Sequence, residues 1–309
     1  MTSYILRRLV FSVFVIFAAV TVIFIVIRAI PGNPAETLLG VNATHAEIVA
    51  LTKRLGLDDS EIVQYGKFLW GVLHLNFGNS IQFGTPALTL VGSRIGASAE
   101  LAGVSMGGVL VVAFVVGPLL ARVSGRRVDR GATSMLMFIQ ALPPFWVGLL
   151  LLLVFVDHLD LLPPGGYSGA TSFIMPAIAL GFPFACVLAR LVRSGLLEVM
   201  DSPYIQTARA KGLSDFRVLW KHSLRNMLIP VVTVGGVQLG LLFAGAAVIE
   251  TVFNWPGVGQ LLINAINYRD YTVVEGCVFV FACVFVALNF LVDVLYAYID
   301  PRVRVAGRP

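Results

Sequence analysis

Apolar positions gather into six runs of roughly 20 residues, near 9–27, 98–121, 133–156, 173–191, 227–249 and 273–298, with polar segments between them. Each run is long enough to cross a hydrocarbon core about 30 Å thick, so the pattern predicts an all-α integral membrane protein of six transmembrane helices. Both ends then lie on one side. The longest polar stretch, 29–97, has helical periodicity of its own. Thr44 and Glu47 have capping-box spacing ahead of a helix over 45–55 that Gly56 can end. A second helix over 61–75 shows Ile62, Tyr65, Phe68, Leu69, Val72 and Leu73 on one face, which suits the membrane surface or the flank of a span. The chain thus divides into a first span (1–28), an external helical segment (29–97), a five-helix core (98–298) and a tail (299–309).

Between the fourth and fifth runs, the polar segment 202–226 holds five basic residues: Arg209, Lys211, Arg217, Lys221 and Arg225. Ser202 can cap a helix, Pro203 suits its first position, and Gly212 can end it, giving a short helix over 203–211. Thr207, Ala208 and Ala210 keep that helix slim enough to enter a groove on another protein, with Arg209 and Lys211 placed to meet acids at the rim. A cytoplasmic partner is one reading; a solvated basic loop that only sets orientation is the other. From Ser214 a second helix places Phe216, Leu219, Trp220 and Ser223 on one face and leads into the fifth span.

Composition changes this picture little. The chain of 309 residues is 58% hydrophobic and 13% charged, with a mean hydropathy of +0.88. Its net charge of +5 does not point to nucleic acid, because the basic residues sit in particular loops. Sixteen of them flank spans on the side of the termini: Arg7 and Arg8, four at 122–130, seven at 190–225 and three at 302–308. The positive-inside rule makes that side cytoplasmic, giving an N-in, C-in orientation. The first run is too long for the apolar stretch of a signal peptide and is expected to remain as a span. Cys186, Cys277 and Cys283 all fall in apolar runs and are expected to be inert thiols.

Candidate chemistry is sparse. Gly103, Ser105 and Gly107 spell G-x-S-x-G, but a nucleophile elbow needs a strand-to-helix turn and these residues lie in a span. No phosphate-binding G-x-x-x-x-G-K-[ST] motif occurs, so any ATP use falls to another subunit. No metal-site spacing appears, and no cofactor is expected in this chain. Glu100, Arg190, Glu250 and Asp293, near span ends, suit structural roles. Small residues at intervals of four (Gly103 and Gly107; Ala177, Gly181 and Ala185; Gly236, Gly240 and Ala244) predict close helix packing. The last set, with Gln238, is also a candidate lining for a solute path.

At 206–212 the sequence reads Q-T-A-R-A-K-G, which resembles the E-A-A-x-x-x-G loop of permeases in ATP-binding-cassette importers, in the form typical of the dipeptide and oligopeptide permeases. The likeness extends through I-L-R-R-L at Ile5, I-P-G-N-P-A at Ile30, F-W-V-G-L-L at Phe145, L-A-R-L-V-R-S at Leu188, H-S-L-R-N-M-L-I-P-V-V-T at His222, V-I-E-T-V-F-N-W-P-G-V-G at Val248, R-D-Y at Arg269 and D-P-R-V-R at Asp300. Together these resemble the first, B-type permease of that family. The resemblance implies a type I importer in a bacterial or archaeal plasma membrane, with a homologous second permease, two cytosolic ATPases that bind ATP and Mg, and an external peptide-binding protein. It also implies that Gln206, Thr207, Ala208, Arg209, Lys211 and Gly212 couple this chain to the ATPase. Gln206 departs from the glutamate of the general motif. Nickel or another metal chelate is the alternative cargo; a proton-coupled secondary transporter and an intramembrane protease are the alternatives of other classes.

Overall fold

The computed structural model describes residues 2–30, 34–39, 43–54, 56–200, 202–203, 205, 210–213 and 224–299. Helices dominate: α1 (Thr2–Ala29), α2 (Pro34–Leu39), α3 (His45–Arg54), α4 (Glu61–Leu73), α5 (Ala87–Arg122), α6 (Arg127–Gln140), α7 (Pro144–Leu152), α8 (Ile174–Met200), α9 (Leu224–Val252), α10 (Val258–Asn267) and α11 (Tyr271–Ile299). Among the described residues five helices are long and apolar enough to cross a membrane, and α6 with the α7 segment forms a further pair bent by 94°. Counted as one crossing, that pair makes six.

Two of the expected spans differ in detail. The third is not one straight helix over 133–156, because Pro143 and Pro144 follow Leu142 and supply no amide to the ladder, so the chain turns there. The second begins at Ala87 and not near 98, so it runs through the expected boundary between external segment and core. Gly92, Ser93, Arg94 and Gly96 lower the hydropathy of its first turns without stopping the helix. At 36 residues, α5 is about 54 Å long, well beyond a bilayer's apolar core.

The external helices form as their spacing indicates. Thr44 N–H donates to Glu47 Oε2 (2.8 Å) and Glu47 N–H to Thr44 Oγ1 (3.4 Å). The Thr44 amide, and then the Thr44 hydroxyl donating to the same oxygen (2.8 Å), hold the Glu47 carboxyl below its usual pKa. Gly56, at φ +69°, follows α3 in the left-handed region. Helix α4 lies against α1: Tyr65 and Thr21 share a hydroxyl bond of 2.8 Å, and Phe24 packs on Tyr65 and Phe68. Arg28 ties three elements together, donating to Gln64 on α4 (3.0 Å) and pairing with Glu275 on α11 (3.2 Å). Asp270, buried in the turn before α11, accepts from Ser80 Oγ (2.6 Å) and the amide of Ile81 (3.0 Å), which docks the segment after α4.

Two cores result. One joins α5, α8 and α9 through Leu101, Val109, Leu188, Leu196, Leu242 and Ile249. The other joins α1, α4, the outer end of α5, α10 and α11 through Phe24, Phe68, Val91, Leu261 and Val274. Close packing depends on small residues, though not all of those expected. Gly181 of α8 sits against α5, where a Cβ would come within 3.2 Å of Ser105 O, and Gly117 of α5 has Ala189 O at 2.9 Å. Gly103 and Gly107 instead lie on the exposed face of α5, with nothing among the described residues within 4 Å of a Cβ. A Cβ on Gly259 of α10 would overlap the backbone of Ala247 on α9. Gly259→Val should therefore lower stability by about 1–3 kcal/mol or more, whereas Gly245→Ala, with open space around it, should not. Thermal unfolding of the detergent-purified variants checks this, and equal melting temperatures would refute it.

Candidate functional site

At the cytoplasmic end of α8 the chain turns back on itself. Ser202 Oγ donates to Val199 O (2.5 Å), and Ile205 is fully buried against Val199 and Leu213. This small apolar plug holds the loop to the end of α8. Ala210, Lys211 and Gly212 face solvent, and Gly212 adopts φ +78°, a left-handed conformation in which a Cβ is strained. Gln206, Thr207, Ala208 and Arg209 lie outside the described residues, as does the helix expected after Ser214. The anchoring role of Ile205 was not apparent from charge or small-residue spacing; its signal is a pair of large aliphatic residues, Ile205 and Leu213, in a polar loop.

The stalk beneath this loop is held by polar contacts between distant parts of the chain. Arg193 on α8 grips Asp129 on α6 with two bonds, Nε to Oδ1 at 2.7 Å and Nη2 to Oδ2 at 2.6 Å. Asp129 is 3% exposed, and Oδ2 also accepts the amide of Gly125 (3.1 Å) in the turn between α5 and α6. One turn earlier, Arg190 donates to Gln140 at the end of α6. Arg193 thus has a specific partner as well as a topological charge.

At the outer face, Glu250 is fully buried near the end of α9. Ser98 Oγ donates to Glu250 Oε1 (2.6 Å) and accepts from Val258 N–H (2.8 Å), while Gln260 N–H donates to Oε2 (3.0 Å). The carboxylate therefore caps the first turn of α10, where helix amides are unpaired and the dipole is positive. A Cβ on Gly257 would overlap that carboxylate. Trp255, also fully buried, donates from Nε1 to Ala97 O (2.9 Å) and packs edge-on against Phe173 and Tyr167. Tyr167 donates to Glu100 (2.5 Å), and this bond, then burial, raises its pKa. Gly165 lies flat against the Phe253 carbonyl, which accepts from Gly166 N–H (2.8 Å). The run V-I-E-T-V-F-N-W-P-G-V-G is therefore a packing corner.

The four path candidates do not share one surface. A Cβ on Gly236 would overlap Val292 of α11, and one on Gly240 would meet Phe285 at 3.1 Å, so both glycines serve helix contact. On the expected solute-facing stripe these two positions therefore face α11. The open face of α9 is formed by Val237, Leu241, Gly245 and Val248. At 100° per residue, Ala244 and Gln238 flank it on opposite sides. Ala244 is exposed; Gln238 is 5% exposed, and its Oε1 has no partner among the described residues. Ser105 donates to Leu101 O (2.7 Å) in the buried face of α5, an ordinary helical contact. The Asp293 side chain lies outside the described residues. Cys186 and Cys277 are buried thiols. No three His, Cys, Asp or Glu side chains among the described residues converge as metal ligands do.

Residues 113–305 match the family model described as the inner membrane component of binding-protein-dependent transport systems, and residues 1–91 match its N-terminal counterpart. The dipeptide transport system permease protein DppB of Alkalihalophilus pseudofirmus is 35% identical, the alignment covering 98% of this chain and 100% of that protein. The glutathione transport system permease protein GsiC of Salmonella typhimurium is 36% identical over 98% of this chain and 99% of its own length. Among solved structures, an inward-facing MetNI methionine ABC transporter superposes with a TM-score of 0.59 at 19% identity, over 68% of this chain and 96% of that one. An amino acid ABC transporter superposes with a TM-score of 0.54 at 13% identity, over 68% and 94%. The fold is that of type I importer permeases.

Ser98 makes two bonds in the outer corner. Ser98→Ala leaves the Val258 amide and one Glu250 oxygen unpaired, and should cost about 1–3 kcal/mol. Hydrogen exchange at Val258 and Leu261 should quicken; unchanged exchange there would show that Glu250 does not depend on this hydroxyl.

Proposed function

We infer the function from one premise: this chain belongs to the family of binding-protein-dependent transport system inner membrane components. It is a multi-pass inner membrane permease subunit of an ATP-binding-cassette importer. In our reading its cargo is a di- or oligopeptide, by analogy with relatives named for dipeptide, glutathione and peptide transport. It pairs with a homologous second permease, an external binding protein delivers the solute, and two cytosolic ATPases bind the ATP and Mg. The chain itself catalyses nothing.

The observation that carries this reading is the loop after α8. Ile205 fastens it to the helix end, while Ala210, Lys211 and Gly212 project into solvent. Such a projection suits a groove in a cytosolic partner, with Gln206, Thr207, Ala208 and Arg209 completing the inserted helix. Movement of the partner then reaches α8 directly.

We place the solute path along the open face of α9 between Gln238 and Ala244. An unpaired buried carbonyl at Gln238 would be satisfied by water or solute. Cysteines at Ala244 and Gln238 should react with a small polar thiol reagent during turnover, while those at Gly236 and Gly240 should stay protected by α11. Equal reactivity at all four would overturn this placement.

Gly212→Trp should abolish uptake while membrane insertion and loading of the binding protein continue. Gly212→Ala, which adds only the strain of a left-handed Cβ, about 1–2 kcal/mol, should lose part of it. Undiminished binding-protein-stimulated ATP hydrolysis by Gly212→Trp would remove the docking role. Uptake that persists without the ATPase subunits would favour a proton-coupled transporter instead.

A further inference from the structure

We propose that Asp129 and Arg193 are a positioning pair that makes α6 follow the cytoplasmic end of α8, so that a displacement at the coupling loop is delivered to the α6–α7 pair as well as along α8. This rests on the coupling role assigned above to the loop.

Continuous helix runs from Arg193 to Met200, about 10 Å or two turns. The plug of Val199, Ile205 and Leu213 then joins that helix end to the loop. A push on the loop therefore reaches Arg193 through stiff elements. Across the contact, Asp129 lies in the first turn of α6, and the amide of Gly125 bonds the same carboxylate oxygen that Arg193 Nη2 grips. The fork of the guanidinium resists sliding and rotation, because both oxygens are held at once. Arg190 adds a single bond to Gln140 at the last turn of α6.

From α6 the motion can pass outward. The 94° bend leads into α7, whose Gly148 lies against the Phe253 ring, where a Cβ would come within 3.1 Å, and Phe253 belongs to the corner at Glu250. The pair therefore connects the inner face to an element that touches the outer corner. Its placement also explains why a carboxylate is buried at a membrane face rich in arginine. A purely topological charge there would be basic and exposed.

The test uses the complete importer, with its ATPases and binding protein, in liposomes. Uptake per ATP hydrolysed is measured for Asp129→Asn, for Arg193→Gln and for the exchanged pair Asp129→Arg with Arg193→Asp, each normalised to assembled complex. Both single variants should keep ATP hydrolysis within about twofold while uptake per ATP falls about tenfold, within the usual range of coupling between sites. The exchanged pair should recover at least half of the loss. Uptake and hydrolysis falling together in the single variants, or no recovery in an exchanged pair that assembles normally, would overturn the proposal. If the singles fail to assemble, the exchanged pair alone decides. Absence of ATP-driven uptake by the unmodified importer would instead overturn the coupling reading on which it rests.

Discussion

A buried carboxylate at the outer end of α9 sets the arrangement of the outer half of this permease. Glu250 has no exposure, and an uncompensated charge there would be prohibitive, so the chain must bring donors to it. Ser98 comes from α5, and the amides come from the first turn of α10. Because those donors belong to different elements, satisfying the carboxylate brings α5, α9 and α10 to one point. Trp255 and Phe253 then fill the space around that point, and the flat backbone at Gly165 and Gly166 closes it.

The same logic recurs at both faces of the bundle. Arg28 with Glu275 joins α1 to α11 outside, and Asp129 with Arg193 joins α6 to α8 inside. Between these polar links the helices meet through small residues such as Gly117, Gly181, Gly236 and Gly240. Lipid provides little hydrophobic drive for helices to associate, so close backbone approach holds the middle while directional bonds fix the ends. The close packing keeps the helices from separating, and the polar links add direction at the ends. That division suits a subunit whose cytoplasmic loop must move the bundle as a few connected pieces.

Much of this was legible in the chain. Six apolar runs, the excess of arginine on one side, the capping box at Thr44 and the left-handed stop at Gly56 each depend on local periodicity or local backbone chemistry. The capping box, the stop at Gly56 and most of the long helices appear in the structure because nothing distant competes with them. The family resemblance was equally local, a succession of short motifs in order. What the motifs do was not legible. The run around Glu250 reads as polar residues after a span, and only the folded chain supplies Ser98 from α5 and turns the glutamate into a helix cap.

The division between sequence and tertiary structure follows from distance along the chain. Helix existence, membrane crossing and orientation are decided by residues within one or two turns of each other or by charge beside a span, and the sequence determined these by itself. Which small residues pack and which stay open depends on the neighbour that faces them. Gly236 and Gly240 carry the same spacing as Gly103 and Gly107, yet α11 covers the first pair and nothing among the described residues covers the second. Likewise Arg193 looked like any cytoplasmic arginine until Asp129, 64 residues away, was brought beside it. Partner identity across such separations is a property of the assembled helices, because only their packing selects which polar groups must satisfy one another.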